Sequence, residues 1–534
     1  MIATWALGLL FAGFAFLAVR GDIHRAAILL SLALAVAILG SEGHDIYDHA
    51  ARIHELRSGL AEGRPDLFIE AEGRALPVFY FYSPGFYMLA MLPVLAGLGA
   101  AKSAQLTAAL FFLVMAGSAY RLFLDLAGKN APDRHHRAGM ALILLVSANY
   151  TILNFAARNA YPEAASYALV PAVILALRGR HTVLAIALLC LQIALHPPVF
   201  PQAAVAGLGA HLILTRRPFL PEAARSLLLT GIAVALAFPI WAAALWEADL
   251  IMGAEALPVP FEATFLKPLA LLDPGDFRTT GPVLLLVLAA TVGLGLRTQR
   301  RAMVFAALAL IVLAVQTVPL RPLMVHVPLA DLGLFIWRWM FVTVWFAVLA
   351  MATGLPVPPR AWAARAALVL AGLNAGLLAV ASIGPPTPDA VFARYIALAD
   401  QTEDRWGFAE YYPRYDDLPM ACDAPVGTGA RELRFSELRA APVDATGPLV
   451  IAHAPLAGLT YRADGDPAAL AVCGTRLILR HPAPGTPVRF DVTGDILIRN
   501  PGIRLFWPVL ALAFALAAGA LAWAGRGRHR DATP

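Results

Sequence analysis

The sequence predicts a polytopic α-helical membrane protein with about 13 transmembrane helices and a small, mostly β periplasmic domain before the last helix. Of the 534 residues, 59% are hydrophobic and 14% are charged, whereas a soluble domain carries roughly 25% charged residues. Apolar runs of about 20 residues, the length of a membrane-crossing helix, recur along nearly the whole chain. Basic residues cluster in alternate short loops, so the net charge of +5 predicts no nucleic-acid partner.

The predicted spans begin at the N-terminus, where residues 2–19 are apolar but lack a basic start, so we interpret them as a retained span. In chain order the thirteen spans lie near Ile2–Val19, Ala26–Gly40, Ser103–Phe123, Ala138–Phe155, Ala164–Leu177, Thr182–Leu195, Val199–Leu214, Ser226–Trp246, Pro282–Leu296, Ala302–Val318, Arg338–Gly354, Ala364–Ala381 and Leu505–Ala524.

The basic loops then all fall on one side of the membrane, which the positive-inside rule assigns to the cytoplasm. This topology requires that Phe86–Leu98 does not cross. With Pro84 before it and Pro93 within it, this run of about 13 residues is short for a span, and we predict a helix in the outer leaflet. The first periplasmic loop then covers residues 41–102, within a transmembrane core of residues 1–381.

Residues 382–504 are of mixed polarity and predict the periplasmic β domain. Strand-like runs at Pro448–Ala452 and Leu477–Arg480 alternate with turn signals, such as Ala463-Asp-Gly465. Residues 505–534 form the last span and a basic cytoplasmic tail. Cys422 and Cys473 both lie in the β domain, where a disulfide between them is one of two open alternatives.

The first periplasmic loop is rich in acidic residues. On a helix starting near His44, the side chains of Asp45, Asp48, His49 and Arg52 share one face. Two close carboxylates repel, which raises the pKa of one of them toward the range of a general base. The alternative is a solvated amphipathic helix whose acidic residues favour its N-terminal end.

Other polar residues occupy the predicted outer ends of spans. Arginine holds phosphate through two parallel hydrogen bonds, so arginines here suit a lipid phosphate; the alternative is interfacial anchoring. The candidates are Arg158 and Glu163, His196, and Arg338 between Trp337 and Trp339, with Arg321 and His326 as weaker members. A Gly-rich phosphate loop is missing, which argues against a nucleotide-sugar donor.

Several of these residues stand in short motifs that resemble integral membrane glycosyltransferases of the GT-C type. The nearest resemblance is to bacterial membrane proteins named for a relation to 6-pyruvoyl-tetrahydropterin synthase. The motifs, in the same chain order, are Gly43-His-Asp-Ile-Tyr-Asp-His49 with Arg52-Ile53 and Leu56, Phe79-Tyr-Phe-Tyr-Ser-Pro84 with Tyr87, Arg158-Asn-Ala-Tyr-Pro-Glu163, His196-Pro197, Trp337-Arg338 and Glu410-Tyr-Tyr-Pro413.

The resemblance implies a GT-C fold in the bacterial inner membrane, a polyprenyl-phosphate sugar donor, and a site facing the periplasm. The first-loop acid then acts as base in an inverting transfer to a glycan, lipid or protein acceptor. This acid is Asp45, because at Asp48 the group usually has an aromatic residue. Asp48 or His49 then assists Asp45 as base, and Glu163 positions Arg158 or the substrate. The residues expected to bind the phosphate are Arg52, Arg158, Arg338 and His196.

We predict no cofactor. Metal use varies among the glycosyltransferases that the chain resembles, so a divalent metal stays an open alternative, but two carboxylates do not establish a metal site. Two other functions stay open at this stage. A lipid or polysaccharide transporter would carry charges within spans and paired broken helices. A non-catalytic scaffold of envelope glycan assembly would use the acidic loop as a docking surface.

Overall fold

The structure of the protein is a computed structural model. The structure describes residues 2–43, 45–61, 69–71, 74–76, 83–128, 131–246, 264–273, 278–295, 300–324, 326, 336–354 and 362–383, together with short strands between residues 431 and 494. The predicted last span, Leu505–Ala524, and Cys422 lie outside these residues, as does the side chain of Cys473. The last span and the disulfide therefore stay predictions.

Seventeen α-helices are present in the described part of the chain. In order they are α1 Ile2–Arg20, α2 Ile23–Gly40, α3 Ile46–Ala61, α4 Gly85–Leu95, α5 Ala100–Ala127, α6 Arg134–Val146, α7 Asn149–Ile152, α8 Tyr161–Ala168, α9 Val170–Arg178, α10 Thr182–Leu195, α11 Phe200–Leu214, α12 Phe219–Trp246, α13 Pro282–Gly295, α14 Arg300–Val315, α15 Arg321–Met324, α16 Met340–Gly354 and α17 Trp362–Ala381. A π-helical turn covers Leu153–Ala157, and 3-10 turns cover Pro197–Val199, Pro268–Leu272, Val318–Leu320 and Ile336–Trp339.

The helices are those of a multi-pass membrane protein. Six of them are long and apolar enough to cross a bilayer, and a seventh span results if the bent pair α6–α7 is one crossing; this count covers the described residues alone. Twelve of the thirteen predicted spans coincide with helical segments. The count of thirteen crossings stays a prediction, because several of these helices are shorter than a bilayer is thick.

Helix packing relies on close approach as well as on apolar surface. Gly372 and Gly376, four residues apart on α17, lie against Phe14 and Phe11 of α1, where an added Cβ would collide with the aromatic rings. Small residues at this spacing let two membrane helices pack through their backbones. Large apolar side chains point outward elsewhere, as lipid-facing residues do; examples are Leu9, Leu32, Leu110, Leu228 and Leu377.

The predicted span Ala138–Phe155 is broken. Between α6 and α7 the chain bends by 58°, and the π-helical turn Leu153–Ala157 follows at once. The bend is stabilised from outside, because the Asn149 side chain accepts a hydrogen bond from Asn374 Nδ2 at 3.1 Å and the Tyr150 amide donates to the Thr279 carbonyl at 3.0 Å. π-Helical turns recur at functional sites, because they redirect the residues that follow.

The helix ends form two groups. At one, which we call the Asp45 end, the residues that follow α2, the π turn, α10 and α17 meet. At the other, the Arg301 end, the Arg365 guanidinium donates to the Val19 carbonyl at 3.2 Å, and Arg301 donates to the Thr215 carbonyl at 3.3 Å. The polar loop residues thus fall into two groups. The Asp45 end carries both acidic and basic side chains, and the Arg301 end is rich in arginine, as the sequence predicts.

Two predicted details of the first loop have shifted bounds. The acidic helix begins at Ile46, one residue after Asp45, because the Asp45 carbonyl already accepts the first helical hydrogen bond from the His49 amide at 3.1 Å. The short helix predicted over Phe86–Leu98 is observed as α4, an 11-residue helix that is too short to count as a span. Strands β1 Ile69–Ala71 and β2 Arg74–Leu76 form an antiparallel pair between them.

Strands occur in the segment predicted to be mostly β. They are β3 Arg431–Leu433, β4 Val443–Asp444, β5 Leu449–Ile451, β6 Leu459–Ala463, β7 Leu470–Cys473, β8 Arg476–Leu479, β9 Pro487–Val488 and β10 Phe490–Gly494. The order β3-β5-β8-β7 makes a sheet of four strands, parallel between β3 and β5 and antiparallel elsewhere, and β6 pairs with β10 and β4 with β9. That they form one folded domain stays a prediction.

Candidate functional site

Four ion-pairing side chains meet at the Asp45 end. Arg158 Nε lies 3.1 Å from Asp45 Oδ2, and Arg158 Nη1 lies 3.7 Å from Glu163 Oε2. The same Glu163 oxygen accepts a hydrogen bond from Arg338 Nε at 3.0 Å. We call Asp45, Arg158, Glu163 and Arg338 the carboxylate–arginine cluster. Its members come from the N-terminus of α3, the turn after the π helix, the first turn of α8 and the 3-10 turn before α16.

Glu163 is the buried centre of this cluster. Its side chain is 2% exposed and that of Arg338 is 5% exposed. The second carboxylate oxygen, Oε1, accepts a hydrogen bond from the Tyr150 hydroxyl at 2.7 Å. A charged group is retained out of water only when it is paired and hydrogen-bonded, and the positive end of α8 further favours an anion in its first turn. Glu163 therefore fixes the position of both arginines.

Asp45 and Arg158 form the more accessible half of the cluster. Their side chains are 17% and 25% exposed. The backbone reinforces the pair, since the Asp45 amide donates to the Arg158 carbonyl at 2.8 Å. The guanidinium also lies over the Trp337 ring, 5.2 Å from its centre, in a cation–π contact. A substrate reaching the cluster from solvent therefore meets a carboxylate and a guanidinium side by side.

Asn159 fastens the acidic loop to the segment that carries Arg158. Its φ of 61° lies in the left-handed region, which asparagine adopts more readily than most residues. Its side-chain amide donates to Ser41 Oγ at 2.8 Å and to the Tyr161 hydroxyl at 2.8 Å. Its side-chain oxygen accepts a hydrogen bond from the Gly43 amide. An added Cβ on Gly43 would collide with Asn159 and the Ala157 carbonyl, so glycine permits the close approach.

His49 is held by both ring nitrogens. Nε2 lies 2.8 Å from the Asn159 carbonyl, which only accepts, so Nε2 carries the proton. Nδ1 therefore accepts from the Tyr87 hydroxyl at 2.9 Å, and the Tyr87 oxygen in turn accepts from Arg52 Nη1 at 3.0 Å. Burial, and then the Arg52 guanidinium, lower the pKa of His49 to about 3. The imidazole is thus neutral and its orientation is fixed.

His196 lies within electrostatic reach of the two arginines of the cluster. It follows α10 and is buried. Burial first, and then the Arg338 and Arg158 guanidiniums, hold the pKa of this imidazole well below its usual range. The end of α10 is in turn covered by the start of α4, where the Ser83 hydroxyl donates to the Ala194 carbonyl. His196 is therefore a buried, neutral ring in the positive field of the two arginines.

The structure thus sorts the predicted residues into groups. Asp45, Arg158, Glu163 and Arg338 are brought together, with His196 within electrostatic reach of both arginines. His49 and Arg52 belong to a neighbouring group joined through Tyr87. Asp48 is half-buried in the first turn of α3, whereas Arg321 and His326 are exposed near α15.

The sequence analysis gave no role in the site to three residues that build it, namely Tyr87, Tyr150 and Asn159, although Tyr87 and Asn159 stand in its motifs. Asn159 follows Arg158 within a recognised motif, and its polarity at the end of an apolar span was the available signal. Tyr150 follows the polar pair Ser147 and Asn149, which marks the break between α6 and α7. In the described part of the chain, no group of three or more His, Cys, Asp or Glu side chains is arranged to hold a metal ion.

No family model, no curated protein and no solved structure matches this chain. The resemblance to GT-C glycosyltransferases therefore stays a prediction.

Proposed function

We propose that this chain is a membrane glycosyltransferase that moves a sugar from a polyprenyl-phosphate donor to a glycan, lipid or protein acceptor at the periplasmic face of the bacterial inner membrane. The observation that supports this most is the cluster itself. A partly exposed carboxylate, Asp45, touches a guanidinium, Arg158, that a buried glutamate, Glu163, aligns with a second guanidinium, Arg338.

The cluster supplies the two groups that an inverting transfer needs. Asp45 takes the proton of the acceptor hydroxyl while that oxygen attacks the anomeric carbon of the donor sugar. The bond between that carbon and the phosphate oxygen breaks, and the electron pair leaves with the lipid phosphate. Arg158 and Arg338 stabilise the departing anion through charge-assisted hydrogen bonds.

The pairing of Asp45 with Arg158 couples donor binding to base strength. In the structure the Arg158 guanidinium faces the Asp45 carboxylate at 3.1 Å. A donor phosphate competes for that guanidinium, because arginine binds phosphate through the same forked donors. Once Arg158 turns to the phosphate, Asp45 loses its cationic partner and accepts the proton more readily. The base is thus made ready by the arrival of the donor.

Neighbouring residues have supporting roles in this scheme. His49 is a positioning residue, since its ring nitrogens are engaged with Tyr87 and the Asn159 carbonyl. His196, a neutral ring within electrostatic reach of Arg158 and Arg338, is assigned the donation of a hydrogen bond to a phosphate oxygen. Asp48 is a candidate for orienting the acceptor. Arg52 helps to position His49 through Tyr87. Residues 382–504 guide the acceptor. In this proposal α4 helps to close a groove that holds the donor lipid.

A lipid transporter is the second candidate, and one observation favours it. Transporters bind substrate beside broken helices, and the α6–α7 pair is bent by 58° just before Arg158. In a transporter the buried cluster would select an anionic headgroup, and no bond to the sugar would break.

Mass spectrometry of envelope glycans and polyprenyl-linked sugars separates these functions. The strains are wild type, a deletion, and Asp45→Asn expressed at equal level. We expect Asp45→Asn to lower transfer about 10²- to 10⁴-fold, as loss of a general base does, so that one glycan residue disappears and one lipid-linked sugar accumulates. The matched control is Asp22→Asn, because Asp22 also pairs with an arginine, Arg25, at 3.2 Å, but at the Arg301 end.

The distribution of the lipid-linked sugar identifies a transporter. If the deletion accumulates it only on the cytoplasmic face, shielded from a membrane-impermeant oxidant, the block is in transport. If Asp45→Asn has the glycans of wild type, then Asp45 is not the base and the transferase proposal is wrong.

A further inference from the structure

A polar pocket opens at the Arg301 end, far along the helices from the carboxylate–arginine cluster. Its volume is about 250 Å³. Its walls come from the end of α5, the end of α9, the turn between α11 and α12, and the start of α14. Four arginines and two carboxylates line it, namely Arg178, Arg216, Arg217, Arg301, Asp125 and Glu222.

Both carboxylates of the pocket pair with arginines other than these four. Glu222 lies 3.2 Å from Arg180 and 2.9 Å from Arg225, and its Oε1 is 3.2 Å from His211 Nε2. Asp125 lies 3.5 Å from Arg121. Among the residues that the structure describes, none of the four lining arginines has a carboxylate within ion-pair distance. The pocket therefore keeps a surplus of positive charge.

Two of the lining arginines are held in place by backbone carbonyls. Arg178 Nη1 donates to the Leu214 carbonyl at 3.2 Å, and Arg301 Nη2 donates to the Thr215 carbonyl at 3.3 Å. These carbonyls belong to adjacent residues at the end of α11. A guanidinium carries five N–H donors in a planar fork, so anchoring one of them leaves the others to bind a ligand. The two arginines approach the same corner of the pocket from α9 and α14.

Like charges crowd this corner. Burial is the largest cause that lowers the pKa of Arg178; Asp125 opposes the shift, and the Arg301 and Arg216 guanidiniums increase it. Such crowding costs free energy unless an anion enters, and an anion that bridges the guanidiniums removes the repulsion. By contrast, Arg25 at the same end has a side chain that is 74% exposed and pairs with Asp22, as an ordinary surface arginine does.

We propose that this pocket binds a phosphate group, carried either by the headgroup of an anionic lipid or by free inorganic phosphate. Forked guanidiniums match the tetrahedral oxygens of phosphate, and the predicted topology puts the pocket at the cytoplasmic headgroup level, where anionic lipids are available. The site is separate from the carboxylate–arginine cluster. It does not depend on the proposed transferase activity.

Native mass spectrometry of the purified full-length protein tests this site. The pocket variant is Arg178→Gln with Arg301→Gln, and the control is Arg20→Gln with Arg25→Gln, which removes the same charge from the same end. Each protein is titrated with phosphatidylglycerol, with phosphatidylcholine and with inorganic phosphate. We expect the pocket variant to bind phosphatidylglycerol or phosphate about tenfold more weakly, and the control to match wild type.

The three titrations also identify the source of the phosphate. Selective binding of phosphatidylglycerol assigns a lipid headgroup, and binding of inorganic phosphate without lipid assigns the free anion. Thr215→Glu, which adds a carboxylate beside Arg301, provides a second variant should the double variant not fold, with the same loss expected. Equal binding by the control and either folded pocket variant, or binding by wild type to neither ligand, overturns the proposal.

Discussion

Two buried glutamates, one at each end of the helices, are both bound by arginines, yet their partners differ in access to water. Glu163 pairs with Arg338, whose side chain is 5% exposed. Glu222 pairs with Arg180 and Arg225, whose side chains are 52% and 20% exposed. Glu163 thus has one partner, Arg338, that has left water together with it, whereas both arginines that bind Glu222 keep part of their surface in water. The solvation of the partner, more than the number of arginines, therefore distinguishes the two sites.

This difference has an energetic reason. When both ions are buried, each depends on the other, because the attraction in a low-dielectric interior offsets two desolvation costs. When the cation stays in water, the attraction is screened and the loss of the pair is tolerated. The buried pair at the Asp45 end is accordingly suited to preorganised chemistry, whereas Arg180 and Arg225 at the Arg301 end can exchange Glu222 for water.

The largest expected effect is that of Glu163→Gln. This change leaves the buried Arg338 without its anion while it keeps the size of the side chain, so the free energy of unfolding should fall by about 3–5 kcal/mol. Equilibrium unfolding in mixed detergent micelles measures this loss. Glu222→Gln is the matched control, and we expect about 1–2 kcal/mol there, since its arginines can be solvated. Equal losses would break the comparison.

Asn159 allows the Asp45 end to be weakened without removing a charge. Asn159→Gly keeps the left-handed backbone but loses the hydrogen bonds to Ser41 and Tyr161, which should cost about 1–3 kcal/mol of unfolding free energy. Asn159→Ala should cost about 1 kcal/mol more, because alanine disfavours a positive φ. Unfolding of the two variants in the same micelles gives the difference. Identical stabilities would show that the backbone conformation carries no strain.

The sequence predicted the separation of the two ends, because positive loops and apolar runs are local features that survive folding. Twelve predicted spans coincide with helical segments, and the four members of the cluster were all among the predicted residues. The break between α6 and α7 was not predicted, since it depends on Asn374 and Thr279, which are distant in sequence.

Helical spacing alone also predicted the neighbours of Asp45 incompletely. It placed Asp48, His49 and Arg52 with Asp45, whereas the partners of Asp45 come from another segment, because Asp45 precedes the helix and its side chain meets Arg158. Contacts between residues of different helices depend on how the helices pack. No local pattern in a single sequence shows which of these residues will meet.

The titration of His49 supplies a smaller effect that depends on pH. Its folded pKa of about 3 lies below the ordinary value of 6.5, so below pH 6.5 the unfolded chain binds a proton that the folded protein excludes. Stability should therefore fall as the pH drops from 6.5 toward 3, by about 1.4 kcal/mol per pH unit from this residue.

His49→Gln isolates that contribution, since glutamine keeps a donor for the Asn159 carbonyl but does not titrate. The free energies of unfolding of the two proteins should be measured from roughly pH 7 to pH 5. The difference between them should shrink as the pH falls. A constant difference between them would mean that burial does not lower the pKa of His49 below its value in the unfolded chain.

The smallest expected effect is that of Arg180→Gln at the Arg301 end. Because this guanidinium is half-exposed, its removal should change the unfolding free energy by about 0.2–1 kcal/mol, and less in high salt. Arg338→Gln measured in parallel should cost several times more. If the two arginines prove equal and equally sensitive to salt, burial does not distinguish the ends.

The end of α17 has a consequence for residues 384–534. The Glu42 amide donates to the Ser382 carbonyl at 2.8 Å, and Ser41 pairs with Ile383 as an isolated β-bridge. The polypeptide therefore leaves the helices within a few residues of Asp45. A segment tethered at that point meets the cluster at an effective concentration that chain length sets, whatever the abundance of the protein. Under the proposed transferase function, a low-affinity contact between this segment and the cluster is enough to hold an acceptor over Asp45.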